Sequence, residues 1–233
     1  MNGYYKTSRG EIFPLEKQDK FYLSNRNIVE LVLPEGCKEV NCSYNKLTEL
    51  IIPEGCKEVY CSDNKLTELI IPAGCKKVIC YNNQLTELII PKGCKIVHCS
   101  DNKLTELVLP EGCAEVYCFG NQLTELIIPK GCKKVYCYDN QLTKLVLSKG
   151  CKNLYCHTNQ LTELIIPERC KYIYCHTNQL TNLVVLEGCE WLYCHHNQLI
   201  HFNPPKSCKK LWCDIQAIGE LHNNIEELEL FNG

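Results

Sequence analysis

One spacing constrains this chain more than any other feature. Cysteines begin a repeat at Cys37, Cys56, Cys75, Cys94, Cys113, Cys132, Cys151, Cys170, Cys189 and Cys208, nineteen residues apart, and each is followed five positions later by a second cysteine. No step carries an insertion or deletion. A fixed short period describes a stack of equivalent turns, each burying its apolar side only against its neighbours. Two compact domains would fit in 233 residues, but the unbroken period argues for one elongated domain. The expected division is an N-terminal cap over residues 1–20, a repeat array over 21–221 and a final strand within 222–233.

The unit is typified by residues 56–74, CKEVYCSDNKLTELIIPAG. Its Glu58–Ser62 stretch alternates as a half-buried strand does, with Val59 and Cys61 inward and Glu58, Tyr60 and Ser62 outward. Asn64 recurs in each turn from Asn45 to Asn197, and an amide that donates and accepts can satisfy backbone groups where the chain leaves the strand. Leu66, Leu69 and Ile71 complete the core, and Pro72 with Gly74 turns the chain back. The T-E-L-I-I segment of each unit predicts a second short strand, because isoleucine and valine cluster there and so few residues leave no room for a helix.

In this frame the chain resembles the leucine-rich repeat, L-x-x-L-x-L-x-x-N-x-L, with cysteine at the first and third apolar positions. The short period and trailing proline are most similar to the compact repeats of bacterial effectors and internalin-like proteins. The resemblance spans residues 21–221. It implies a leucine-rich-repeat solenoid, in the α/β horseshoe class but mostly β, with a parallel main sheet and little or no helix. It also implies a binding role, since that family mostly binds other molecules, with ligands that differ from member to member.

Both ends depart from the frame. Phe13, Leu15, Phe21 and Leu23 are suited to cover the first turn, and Arg26 stands where the asparagine belongs. Towards the C-terminus, Gln216 replaces the asparagine, and the Ile225–Leu230 stretch restores the L-x-x-L-x-L spacing. That spacing predicts a final strand whose outer edge offers a route to self-association.

Twenty cysteines suggest a disulfide scaffold or zinc, but their placement points to packing. Each falls at an inward position, where a free thiol serves as a small apolar residue. Equivalent cysteines on neighbouring in-register strands would hold their Cβ atoms about 4.8 Å apart, beyond the span a bridge prefers. The Cys-x4-Cys spacing along a strand is also looser than the usual zinc hook. The twenty thiols are expected to be reduced, and only end cysteines such as Cys37 or Cys213 readily reactive. A net charge of −2 favours neither nucleic acid nor an anionic membrane as partner. No run is long and apolar enough for a membrane helix, and the first residues lack the apolar core of a secretory signal. The expected location is the cytoplasm of the producing cell, or of a host cell if the protein is a secreted effector.

Function is sought on the outward face of the main sheet. Its central column reads Asn41, Tyr60, Ile79, His98, Tyr117, Tyr136, Tyr155, Tyr174, Tyr193 and Trp212. The neighbouring column runs from Ser43 and Ser62 to Tyr138, His157, His176, His195 and Asp214, and a third ends with Tyr172, Trp191 and Lys210. The N-terminal part is small and acidic, and the C-terminal part is dense in aromatic rings and histidine. Contiguous exposed aromatics mark interaction surfaces, although tyrosine ladders also stabilise sheets by stacking. The candidate binding residues are Tyr136, Tyr138, Tyr155, His157, Tyr172, Tyr174, His176, Trp191, Tyr193, His195, His196 and Trp212. A protein or peptide is the expected ligand, with no cofactor. The alternatives are a metal- or pH-responsive role for the His157/His176/His195 column and a structural spacer. The outward threonine column (Thr48, Thr67, Thr86 and onward) reads as β-favouring surface. No nucleophile elbow, phosphate-binding glycine loop or acid–base pair supports catalysis.

Overall fold

The computed structural model describes residues 3–232, and almost all of its regular structure is β. Contacts group the chain into two units, Met1–Cys113 and Ala114–Gly233, each built from the same nineteen-residue coil. The first unit opens with an antiparallel hairpin, Gly3–Thr7 with Ile12–Leu15, to which Ile28–Val32 adds a third antiparallel strand. Tyr5, Leu15, Phe21, Leu23 and Ile28 are buried beneath it, whereas Phe13 stays exposed and stacks on Tyr5 at 4.9 Å. The main sheet of this unit runs Lys20–Tyr22, Glu39–Asn41, Glu58–Tyr60, Lys77–Ile79 and Ile96–His98, all parallel.

In the second unit the main sheet is again parallel. It runs Glu115–Tyr117, Lys134–Tyr136, Asn153–Tyr155, Tyr172–Tyr174, Trp191–Tyr193, Lys210–Asp214 and Glu227–Phe231. Among the described residues the one helical element is a 3-10 turn, Ile215–Ala217. Parallel in-register coils with almost no helix are the solenoid that the period and the leucine-rich-repeat frame imply. The in/out alternation holds in the three-residue strands apart from Trp191–Tyr193, with Val59, Val78 or Ile173 fully buried between half-exposed neighbours. All twenty cysteines are unbridged and buried. They line the core in two columns and leave no room for bulkier side chains.

An asparagine spine ties the coils together. The Asn64 amide donates to the carbonyls of Cys61 (3.1 Å) and Ser62 (3.1 Å) in its own turn and of Cys42 (3.0 Å) in the turn before. Its oxygen accepts the Leu47 N–H at 3.0 Å. Asn83 and Asn102 repeat the pattern in the first unit, and Asn140, Asn159, Asn178 and Asn197 repeat the amide's donor contacts in the second. Buried polar backbone at each strand exit is thereby paired within the fold. The following turns carry glycine at positive φ, and at Gly188 (φ 103) a Cβ would lie 2.7 Å from the Arg169 Cα. Glycine is required there by space as well as by conformation.

Four expectations need correction. The T-E-L-I-I strand forms only in the second unit, where Glu125–Ile127 pairs with Lys144–Val146 and Glu163–Ile166 with Asn182–Val185. In the first unit the same segments stay unpaired except for a Val32–Ile51 bridge. A strand needs a partner backbone at about 4.8 Å, and propensity alone does not supply one. Ser62, expected outward, is buried, and its hydroxyl donates to the Ile79 carbonyl at 3.3 Å. Cys37 and Cys213, expected to be accessible as end residues, are as buried as the rest. The fourth concerns the turn that lacks its asparagine. There His196 N–H and Asn197 N–H donate to Asp214 Oδ1 (2.8 Å) and Oδ2 (2.9 Å), so a buried carboxylate replaces the next turn's backbone carbonyls.

Candidate aromatic binding face

The candidate residues sit on the second unit's main sheet, and strict register makes each column a stack. Tyr136, Tyr155, Tyr174 and Tyr193 follow one another at centroid distances of 4.4, 4.4 and 4.3 Å, within 15° of parallel. This is the strand spacing itself, so each ring lies flat on the next and only its edge and hydroxyl face outward. Trp212 breaks the series, meeting Tyr193 edge-on at 3.7 Å and 83° and leaving that tyrosine buried.

The adjoining column is equally regular. Tyr138 stacks on His157 at 4.5 Å, His157 on His176 at 4.5 Å and His176 on His195 at 4.6 Å, all within 13° of parallel. Phe231 of the last strand closes it, 4.2 Å from His195, while His196 projects beside it at 4.9 Å and 71°. The third column is shorter. Tyr172 meets Trp191 edge-on at 5.0 Å, and the Lys210 ammonium lies 4.8 Å over the indole while pairing with Glu227 at 2.6 Å. The fold therefore brings all twelve predicted residues onto one face and adds Phe231, whereas Asp214, expected at the end of the outward histidine column, is fully buried. Phe231 belongs to no repeat position, and the register of its strand with Lys210–Asp214 is what places it there.

Electrostatics follow burial. Burial pushes the phenols of Tyr155 and Tyr174 up to about 12, with neighbouring tyrosines adding to it. It also lowers His157, His195 and His176, the last to about 4, where the charges of His157, His195 and His196 contribute less than burial does. Like-charge repulsion is thus the secondary cause. The local backbone is unusual here too. Thr158 (φ 54) and Thr177 (φ 54) hold the left-handed conformation that Asp63 or Asn82 takes in the first unit, and a β-branched residue there is strained. Each threonine Oγ1 lies 3.1 Å from the Nδ1 of the preceding histidine, His157 or His176.

Parallel stacking bears on metal chemistry. Rings stacked flat direct equivalent nitrogens alongside one another, not towards a common point, and three ligands must converge to hold an ion. Among the described residues no cluster of three or more histidine, cysteine or acidic side chains has metal-binding geometry. Two buried nitrogens on this face, His195 Nδ1 and Trp212 Nε1, have no hydrogen-bond partner. No described helix is long and apolar enough to cross a membrane.

No protein-family model matches the chain, and no curated protein matches it in sequence. Solved structures do match. YopM from Yersinia enterocolitica WA-314 superposes with a TM-score of 0.84 at 22% identity, over 93% of this chain and 52% of that one. The functional domain of InlJ from Listeria monocytogenes, described as including a cysteine ladder, gives 0.79 at 22% identity over 88% of this chain and 52% of its own. YopM from Yersinia pestis, a leucine-rich effector protein, gives 0.73 at 26% identity over 90% and 65%. This chain spans about half the length of the first two.

Proposed function

We propose that this leucine-rich-repeat chain is a non-enzymatic binding module that holds a protein or peptide on the aromatic and histidine face of its second unit. The observation that carries the reading is the coincidence of three outward columns over residues 172–214. Tyr172 with Trp191, Tyr174 with Tyr193 and Trp212, and His176 with His195 stand side by side there. Stacking alone would account for one column. Three adjacent columns form a broad, rigid surface of tyrosine, tryptophan and histidine, the residue types that give large contact area at low entropic cost.

The expected compartment is the cytoplasm, of the producing cell or of a host cell. Self-association through Glu227–Phe231 is the weaker use of that strand. Leu228 and Leu230 are exposed on it, but Glu226, Glu227 and Glu229 line it, and two such edges repel. The test is affinity capture from lysate on immobilised protein, comparing wild type with Tyr155→Ala/Tyr174→Ala and with Trp191→Ala. Proteins retained by the wild type should be lost from variants that still melt cooperatively. An unchanged capture set would remove the face from consideration.

A further inference from the structure

In the first unit, the face opposite that unit's own main sheet carries a second pattern that stacking does not require. Ile51, Ile70, Ile89 and Val108 are exposed to 81%, 83%, 82% and 77%, one per turn, in a single column. Two residues earlier in each turn stands an exposed glutamate, Glu49, Glu68, Glu87 or Glu106, and none of the four makes an ion pair with a described residue. The convex segments here are not hydrogen-bonded to one another, and open grooves separate them. One of about 390 Å3 lies between Thr67–Ile71 and Thr86–Pro91, and another of about 480 Å3 between Thr48–Ile52 and Thr67–Pro72.

The corresponding column of the second unit is different. Lys144 interrupts the acidic series and pairs with Glu125 at 3.3 Å, and Asn182 follows. There the segments pair into short sheets and the column falls to 62% exposure at Ile127 and Ile165, 40% at Val146 and 38% at Val184, although a groove of about 360 Å3 persists between Thr143–Leu147 and Glu163–Pro167. The unbroken acidic column and the barest aliphatic side chains therefore coincide in one place, over two adjoining grooves.

We propose that residues 48–108 form a docking surface for a basic amphipathic helix of a partner protein. Large exposed apolar arrays on soluble proteins mark interaction sites, and the glutamate column beside this one selects a cationic flank. The spacing fits a helix. The roughly 4.8 Å strand spacing of the main sheet sets a lower bound of roughly 15 Å for the span of four turns on this face. Three turns of an α-helix rise about 16 Å, so an apolar seam at i, i+4, i+7 and i+11 offers one side chain to each of the four column residues. Lysine or arginine on the adjoining helix face then meets the glutamates, about 7 Å to one side along the extended segment. The grooves between turns accept the seam's side chains.

The test uses a fluorescein-labelled synthetic helix of about fourteen leucine and lysine residues, four turns with leucine at that seam. Two controls accompany it, a scrambled peptide of the same composition and a leucine–glutamate version. In fluorescence anisotropy the seam peptide should bind at least about tenfold more tightly than the scramble. Ile70→Asp/Ile89→Asp should weaken it by roughly tenfold or more, the scale of a lost anchor contact. Glu68→Lys/Glu87→Lys should transfer the preference to the leucine–glutamate helix, while the exposed Gln160→Ala in the second unit leaves binding unchanged. All four substituted positions of the first two variants are exposed, and circular dichroism confirms their fold. Equal binding of the scramble, or no effect of either double variant, would overturn the proposal. So would wild-type self-association in sedimentation that Ile70→Asp/Ile89→Asp removes, because the face would then belong to a second copy.

Discussion

The imidazoles of His157 and His176 lie 4.5 Å apart and 6° from parallel, with each ring desolvated by the next. Burial is the main reason both titrate below an ordinary histidine. In the unfolded chain they protonate near pH 6.5. His176 in the fold does so only at about 4. Between those values the unfolded chain binds more protons, so stability should fall as pH drops through that window and be insensitive to this column above about 7. Urea midpoints at pH 7.5 and 5.5 measure it. The wild type should lose more than His176→Asn does, and parallel losses would show that the column is not the source.

Asn159 donates to the carbonyls of Cys137 (3.0 Å), Cys156 (3.1 Å) and His157 (3.2 Å), and accepts the Leu142 N–H at 2.9 Å. Alanine there would orphan four backbone groups, most of them buried. The expected cost is about 3 kcal/mol or more, since each unsatisfied buried group costs roughly 1–3 kcal/mol. Aspartate should be no better, because a carboxylate cannot donate to carbonyls. The neighbouring exposed Gln160→Ala should stay within about 0.5 kcal/mol. Equal midpoints for Asn159→Ala and Gln160→Ala in urea unfolding would refute this account of the spine.

Native thiol titration with a bulky aromatic disulfide should find almost none of the twenty cysteines within minutes, and all twenty in guanidinium. Burial pushes Cys42, Cys99 and Cys175 up to about 12, so little thiolate exists even where reagent could reach. Cys37 and Cys208 are the exceptions, lowered by their neighbours Cys56 and Cys189. On slow exposure they should label first, which peptide mass spectrometry would show. Early labelling of Cys137 or Cys156 instead would mean that the core opens in its middle.

The period and the alternation around Val59 and Cys61 carry the coil, because in a stack of equal turns one turn's pattern dictates all the others. The asparagine's role was legible for the same reason: a donor–acceptor side chain repeated at a strand exit has few other uses. The aromatic columns were legible too, since register puts Tyr136, Tyr155 and Tyr174 one above another. Pairing on the convex side was not. Thr67–Ile71 and Thr124–Ile128 are the same pentapeptide, yet only the second contains a strand, Glu125–Ile127, so the distance to the adjacent turn decides. Nor was Asp214 legible, because its function comes from which backbone donors the departing chain leaves behind. The bare isoleucines escaped notice because Ile70 and Ile71 look alike in sequence and differ only in the side of the segment they occupy.

Asp214 also has a genetic consequence. Between any two asparagines of the same unit the bonding is identical, so recombination that adds or deletes nineteen residues leaves every backbone group with an equivalent partner. Copy number is therefore close to neutral inside the array. At Asp214 that no longer holds, because its carboxylate replaces the backbone carbonyls that bond the preceding coil's N–H groups elsewhere in the array. Whole coils can be gained or lost among the asparagine turns, while the aspartate turn, whose carboxylate accepts but cannot donate, interrupts the spine.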